Sequence, residues 1–225
     1  ILVVDDHSKN PIQLKKLKLV NIDKKIFKIK IYRKIKNEGD SKTRLKGVKL
    51  SKSKFIAFLD SDDFWHSNKL YTQMKFLIEN RLSVVGSNWN NRTHFSSYFN
   101  TNKEFYKLGK KRLALQWWPH ISTVILEKNF FYQIKANKIS NLRYGGDGDL
   151  LLKLASTNNL FILKKNLVTC HYFKKKYTSS GMSSSIQKMN KGEIIVLKNN
   201  FDNSLIKLFL IGWIKFKYLF RVSLK

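Results

Sequence analysis

Three carboxylates crowd into four positions at Asp60-Ser-Asp-Asp63, directly after the compact apolar run at residues 55–59. Like charges so close repel one another, which costs stability unless a cation or a function compensates. A hard divalent cation is the natural compensation, because carboxylate oxygens suit Mg2+ or Mn2+ and leave coordination positions open for substrate phosphates. The alternative is an acidic turn that caps the following helix, with Asp63 or Ser67 at its N-terminus. A second acidic pair, Asp5 and Asp6, ends the apolar run at residues 1–4. A third, Asp147 with Asp149, is interleaved with glycine at the start of another apolar stretch. There Asp147 or Asp149 reads as a cap for the helix beginning near Leu150.

Carboxylates at these places need elements to position them. The β-branched and Leu run at residues 1–4 reads as a buried parallel strand, and residues 26–32 alternate apolar and basic residues at period two, a strand with one wet face. Residues 11–19 and 42–53 read as helices, and residues 55–59 as a third strand running into Asp60. This β-α-β-α-β order predicts an α/β domain with a parallel sheet and helical crossovers, in which ligands gather at the carboxyl ends of the strands. Further along, a helix is expected over 68–79, with strands over 83–86, 121–126, 160–163 and 167–172. Another helix is expected over 149–156. Residues 88–112 read as a loop-rich insertion, and residues 174–185, rich in lysine and serine, as a loop.

The stretch Phe55-Ile-Ala-Phe-Leu-Asp-Ser-Asp-Asp-Phe-Trp-His-Ser-Asn-Lys-Leu70 resembles the Asp-X-Asp signature of family 2 glycosyltransferases, in which a strand leads into LDSDD, an aromatic pair and a helix start. Ile1-Leu-Val-Val-Asp-Asp-His-Ser8 is similar to the family's VVDDGS strand and loop, with His7 in place of glycine. Asn37-Glu-Gly-Asp-Ser-Lys-Thr-Arg44 resembles its N-x-G segment followed by a basic residue. Gly145-Gly-Asp-Gly-Asp-Leu-Leu-Leu-Lys-Leu-Ala155 resembles the EDxDLWLKLA helix start, with Gly146 and Gly148 departing from it.

The resemblance implies a GT-A fold: a Rossmann-like, mostly parallel sheet with flanking helices, here followed by a C-terminal helical segment. It implies a nucleotide-sugar-binding half at 1–87, an acceptor-binding half at 88–173, and a basic loop with an amphipathic helix at 174–225. It further implies a nucleoside diphosphate sugar as donor, with Asp5, Asp6 and Arg44 facing the nucleotide. Asp60 and Asp62 would hold the diphosphate and a divalent metal, Mn2+ or Mg2+. Asp147 would be the base that takes the acceptor proton, giving inversion. On the acceptor side, a glycan or lipid-linked molecule, the candidates are Trp117, Trp118, His120 and Asp149, because aromatic faces stack on sugar rings. Trp65 is expected under the acidic loop. His171 and Tyr172 stand where the family carries a pair near the diphosphate, with Lys174, Lys175 or Lys176 as candidate cations. The family's first strand and helix are not found ahead of residue 1, and the chain opens inside an apolar run, so upstream residues are expected.

Forty-four Lys and Arg against fifteen Asp and Glu give a formal charge of +29. Such a charge attracts any polyanion, so it identifies no partner by itself. The basic residues are spread along the chain without a nucleic-acid-binding motif, and nucleic acid is not an expected partner. A basic nucleic-acid binder and a noncatalytic glycosyltransferase-like chain are the rival readings. The single cysteine, Cys170, has no disulfide partner in the chain, and no secretory leader opens it; the expected location is the cytoplasm, peripheral to the inner face of the membrane. At residues 204–222 four cations, Lys207, Lys215, Lys217 and Arg221, interrupt an apolar run. On a helical wheel they oppose Leu205, Phe209, Trp213, Phe216 and Phe220. That pattern suits a helix lying on an anionic leaflet, with docking onto the core as the alternative.

Overall fold

The computed structural model describes residues 1–13, 28–92, 102–116, 119–138, 142, 144–157, 160–170 and 185–223. Trp117, Trp118, His171, Tyr172, Lys174, Lys175 and Lys176, and most of the helix expected at 11–19, lie outside the described residues. The chain divides into two compact units, Ile1–Ser53 and Lys54–Lys225.

In the first unit, β1 (Leu2–Asp5) and β2 (Lys30–Arg33) pair in parallel, and α1 (Asp40–Leu50) follows. Val48 of α1 is buried, and an added Cβ at Gly47 would rest on the Val4 side chain, so α1 lies close against β1. The parallel pairing expected from the β-α-β order is present, with Lys30–Arg33 as the paired residues of the second strand.

The second unit is built on a sheet of order β3-β7-β5-β8-β4, with β6 also paired to β8. Its strands are β3 (Phe55–Ala57), β4 (Phe64–Trp65), β5 (Val84–Trp89), β6 (Phe105–Lys107), β7 (Ile125–Glu127) and β8 (Phe161–Thr169). All six residues of β5 are buried, as a central strand requires. β5 and β8 run parallel; the pairs β3–β7, β5–β7, β4–β8 and β6–β8 are antiparallel. The sheet is therefore mixed, flanked by α2 (Lys69–Glu79), α3 (Lys110–Gln116), α4 (Lys128–Gln133) and α5 (Gly146–Ser156).

Three local expectations are corrected by tertiary contacts. Residues 121–126 do not form one strand. Ile121–Thr123 is a 3-10 turn, because the Thr123 hydroxyl and amide both donate to the His120 carbonyl, at 2.6 and 3.0 Å. The two strands expected at 160–163 and 167–172 are one strand, β8. Its polar middle is bridged by Lys164, whose amide donates to Glu104 O and whose carbonyl accepts from the Asn88 side chain. The loop-rich reading of 88–112 misses β6 and the start of α3, where Phe105 packs its ring on Phe76 and Phe161.

The C-terminal segment is two helices, α6 (Ile186–Asn200) and α7 (Ser204–Ser223), of which only the second was expected. The α6 helix opens on Ser185, whose hydroxyl accepts from the Lys188 amide, and its Gly192 lies against the Tyr144–Gly145 backbone that leads into α5. α7 docks through Leu210 and Ile214, both nearly fully buried. The carbonyl of Leu115, at the end of α3, accepts from the Trp213 indole at 2.9 Å and from the Lys217 amine at 3.0 Å. Leu205, Phe209 and Phe216, drawn from sequence as one apolar stripe, point away from that contact and are exposed.

Candidate active site

After β3 the chain makes a tight turn, in which the Asp63 amide donates to the Asp60 carbonyl at 3.1 Å, and then re-enters the sheet as β4. The turn is locked from below by Ser122 of the 3-10 turn. Its hydroxyl donates to Asp63 Oδ2 at 2.5 Å and accepts from the Asp60 amide at 3.0 Å, while its carbonyl accepts from the Trp65 indole at 2.9 Å. His120 Nδ1 lies 3.2 Å from Asp63 Oδ2, and the His120 ring packs on Trp89. The three carboxylates thereby divide. Asp63 is buried and committed to Ser122 and His120, whereas Asp60 and Asp62 are partly exposed. One buried serine thus fixes the turn that carries the partly exposed Asp60 and Asp62.

Neighbouring elements stiffen this platform. Asn90, in the left-handed conformation at φ 48°, brackets Cys170 with both ends of its amide: its nitrogen donates to the Cys170 carbonyl and its oxygen accepts from the Cys170 amide. Gln73 of α2 donates to the Thr123 carbonyl at 2.8 Å. His66 Nε2 is 3.1 Å from the Thr169 hydroxyl, and the His66 amide donates to Leu167 O. Lys69, at the first turn of α2, is fully buried with its amine 4.3 Å over the Trp65 ring. Burial pushes that amine down to about 7.

Asp63, His120 and Cys170 place an oxygen, a nitrogen and a sulfur within 4.8 Å of one another. Burial, followed by the charges of Asp63, Asp60 and Asp62, pushes the Cys170 thiol far up and keeps it protonated. Asp63 is engaged by the Ser122 hydroxyl and lies 3.2 Å from His120 Nδ1, so this trio reads as a support for the turn. Asp60 and Asp62, both partly exposed, carry carboxylate oxygens of the kind that suit a hard divalent cation.

Asp147 sits in the first turn of α5 and is partly exposed. The turn before it needs Gly145, which is left-handed at φ 88° and closely packed on Gly192. Asp149, two positions on, is buried: Lys153 Nζ lies 3.0 Å from Oδ2, and the Asn200 side chain donates to Oδ1 at 2.7 Å. Its carboxylate ties α5 to α6.

In the first unit the carboxylates after β1 shape their own loop. Asp5 Oδ1 accepts from the Ser8 amide and hydroxyl at 2.9 and 2.5 Å, and Arg33 lies 3.6 Å from Oδ2. Burial raises this carboxyl, but the Ser8 hydrogen bonds and the Arg33 charge outweigh it and hold it below the usual range. Asp6 accepts from the amides of Glu38 and Gly39 and pairs with Lys34 at 2.7 Å. There too burial is outweighed, and the carboxyl stays low. Arg44 pairs with Asp40 one turn earlier at 2.8 Å.

Sequence reasoning brought out Asp60, Asp62, Asp147 and His120 but not Ser122, Asn90 or Lys69. Nothing in the sequence around Ser122 separates it from an ordinary strand hydroxyl; only the fold brings it 62 residues back to Asp60.

The sequence profile described as Glycosyl transferase family 2 matches residues 1–139, and the chain belongs to that family. A glucosyltransferase of Escherichia coli, UDP-Glc:alpha-D-GlcNAc-diphosphoundecaprenol beta-1,3-glucosyltransferase WfgD, is 25% identical over 214 residues, covering 93% of this chain and 78% of the relative. An uncharacterized glycosyltransferase of Rickettsia felis is 29% identical over 168 residues, or 74% of this chain and 27% of the relative. The chain thus spans about a quarter of that relative's length. Among solved structures, Staphylococcus aureus TarS 1-349 in complex with UDP-GlcNAc is similar in fold, with a TM-score of 0.62 at 20% identity, covering 93% of this chain and 60% of that one.

Proposed function

We propose that the chain transfers a sugar from a nucleoside diphosphate sugar, a UDP-sugar in the first instance, to a glycan or lipid-linked acceptor in cell-surface polysaccharide biosynthesis. The observation that carries this reading is the Ser122-locked turn, which holds Asp60 and Asp62 at a strand end in a family 2 chain. A UDP-sugar as donor and a diphosphoundecaprenol-linked acceptor are what the WfgD name states for that relative, and TarS was solved with UDP-GlcNAc.

In this reading Asp62, with Asp60 beside it, holds Mg2+ or Mn2+, which when bound supplies Lewis acidity to the leaving diphosphate. The protein's own part is positional. Asp63, Ser122 and His120 fix the turn, so the two carboxylates meet their ligand without reorganising. Asp147 takes the proton from the acceptor hydroxyl as it attacks the anomeric carbon, a single displacement with inversion. The glycine-lined approach of Tyr144–Gly145 to Gly192 leaves little freedom for the turn that aims Asp147. His120 borders the acceptor side, with Trp117 and Trp118 beside it in sequence. We place the working enzyme at the cytoplasmic face of the membrane, where lipid-linked acceptors are presented. No described helix is long and apolar enough to cross a bilayer.

The test is transfer from a panel of UDP-sugars to a diphospholipid-linked acceptor, for the wild type, Asp62→Asn and Asp147→Asn. Loss of transfer in both variants supports the assignment, and retention in either removes the role given to that residue.

A further inference from the structure

Among the described residues of the second unit, the longest exposed apolar row lies on one face of α7, the face turned away from the core. α7 rests on the protein through Leu210 and Ile214. On a helical wheel Leu205, Leu208, Phe209, Phe216 and Leu219 fall on the opposite side, with Trp213 at the edge between the two faces. Leu205 is 79% exposed, and Leu208, Phe209, Phe216 and Leu219 are each 59–66% exposed. Exposed apolar residues scattered singly need no explanation, but a contiguous row along a 20-residue helix marks an interaction site.

The shape of the row is that of a surface that embeds. Above Gly212, where an added side chain would meet nothing, Phe209, Trp213 and Phe216 surround an open depression of about 440 Å³. Trp213 and Phe216 stack at 5.8 Å, so this rim is prearranged. The helix is also tied at its edge, where Trp213 and Lys217 both donate to the Leu115 carbonyl.

Charge decides between occupants. α7 carries no acidic residue, Lys215 is exposed on one flank of the apolar row, and the chain as a whole is +29. A second copy of so basic a chain would be repelled, whereas an anionic bilayer offers hydrocarbon for the row and headgroup charge for its flank. We infer that the outward face of α7 lies in the headgroup region of an anionic membrane, its apolar row dipping toward the acyl chains while the helix stays parallel to the surface. This deepens the lipid-linked acceptor reading and rests on it for its purpose, though not for its physics.

The experiment is co-sedimentation of the full chain with vesicles of phosphatidylglycerol and phosphatidylcholine, or of phosphatidylcholine alone. The comparison is with a variant carrying Leu208→Gln, Phe209→Gln, Phe216→Gln and Leu219→Gln, and separately with Lys215→Glu. The wild type is expected to bind the anionic vesicles, and less so as salt rises. The fourfold variant should lose at least about tenfold in partitioning, and Lys215→Glu should lose a smaller factor on anionic vesicles only. Because the replaced side chains are exposed, the fourfold variant should melt at the wild-type temperature; if it unfolds, the wild-type preference for anionic vesicles and the Lys215→Glu result decide. Wild-type chain that stays in the supernatant overturns the inference. So does undiminished binding by the fourfold variant, or a dimer that the fourfold change dissolves without any vesicle binding. Nucleotide-sugar binding is measured in parallel. If it fails while vesicle binding holds, the transferase reading falls and the α7 assignment stands.

Discussion

Ser122→Ala removes one oxygen atom, and the structure says which two bonds go with it. The hydroxyl's donation to the buried Asp63 carboxylate at 2.5 Å is lost, and the Asp60 amide loses its acceptor at 3.0 Å. A hydrogen bond to a charged group contributes roughly 1.5–3 kcal/mol and a neutral one about 1 kcal/mol, so the expected loss of stability is about 2–4 kcal/mol. For a domain of this size each kcal/mol moves the melting temperature by about 2–4 °C, giving a drop of about 5–15 °C. Urea unfolding followed by tryptophan fluorescence gives the same quantity at fixed temperature, because Trp65 reports directly on the Ser122 carbonyl. The functional arm is separate: with the turn loosened, metal-dependent binding of a nucleoside diphosphate should weaken by about tenfold, the equivalent of about 1.4 kcal/mol. A loss of stability below about 0.5 kcal/mol, the level of an ordinary surface change, would show that Ser122 does not hold the acidic turn, and the positional argument would fail with it.

Three further outcomes follow from the same contacts. The Lys69 amine titrates near 7 in the folded chain against an ordinary value of 10.5. The unfolded chain then binds that proton more tightly, so stability rises with pH between those values, by at most about 1.4 kcal/mol per unit. Lys69→Met should flatten this rise in unfolding curves at pH 7, 8 and 9, and an unchanged slope would assign it to other groups. Asp147→Asn should lower kcat by about 10²–10⁴ and leave donor binding intact, read by single-turnover transfer and by calorimetry. A methyl at Gly192 would stand 2.4 Å from the Tyr144 carbonyl oxygen. Gly192→Ala is therefore expected to destabilise by about 1–3 kcal/mol in urea unfolding, unless α6 is free to shift.

The elements legible from sequence were those whose signal is local. The period of α2, the apolar run of β3 and the aspartates at strand ends all follow from spacing alone. β8 was read as two strands because Lys164 and Lys165 interrupt its apolar pattern, and only pairing with β5 and β6 makes the stretch continuous. Residues 121–126 looked extended because Ile121, Thr123, Val124 and Ile125 are β-branched and the stretch is mostly apolar. The Thr123 bonds to the His120 carbonyl curl them into a turn, and the Ser122 hydroxyl ties that turn to Asp60 and Asp63, a long-range contact that no local rule reports. Asp149 shows the same limit from the other side. Its place beside Asp147 suggested an acceptor contact, but Lys153 is one helical turn away and Asn200 comes from a helix the sequence did not announce. The amphipathicity of α7 was legible, yet which face it presents was not, since both sides of the helix are apolar and the core takes the narrower one.

In the proposed function Asp60 and Asp62 hold a divalent cation and the diphosphate of a nucleotide sugar. The most direct measurement is the melting temperature of the full-length protein against a panel of nucleoside diphosphate sugars, with and without Mn2+ or Mg2+, beside Asp62→Asn. Protection by at least one nucleotide sugar is expected, requiring the metal and disappearing in the variant. Protection by none of them, or protection that ignores both the metal and Asp62, would contradict it.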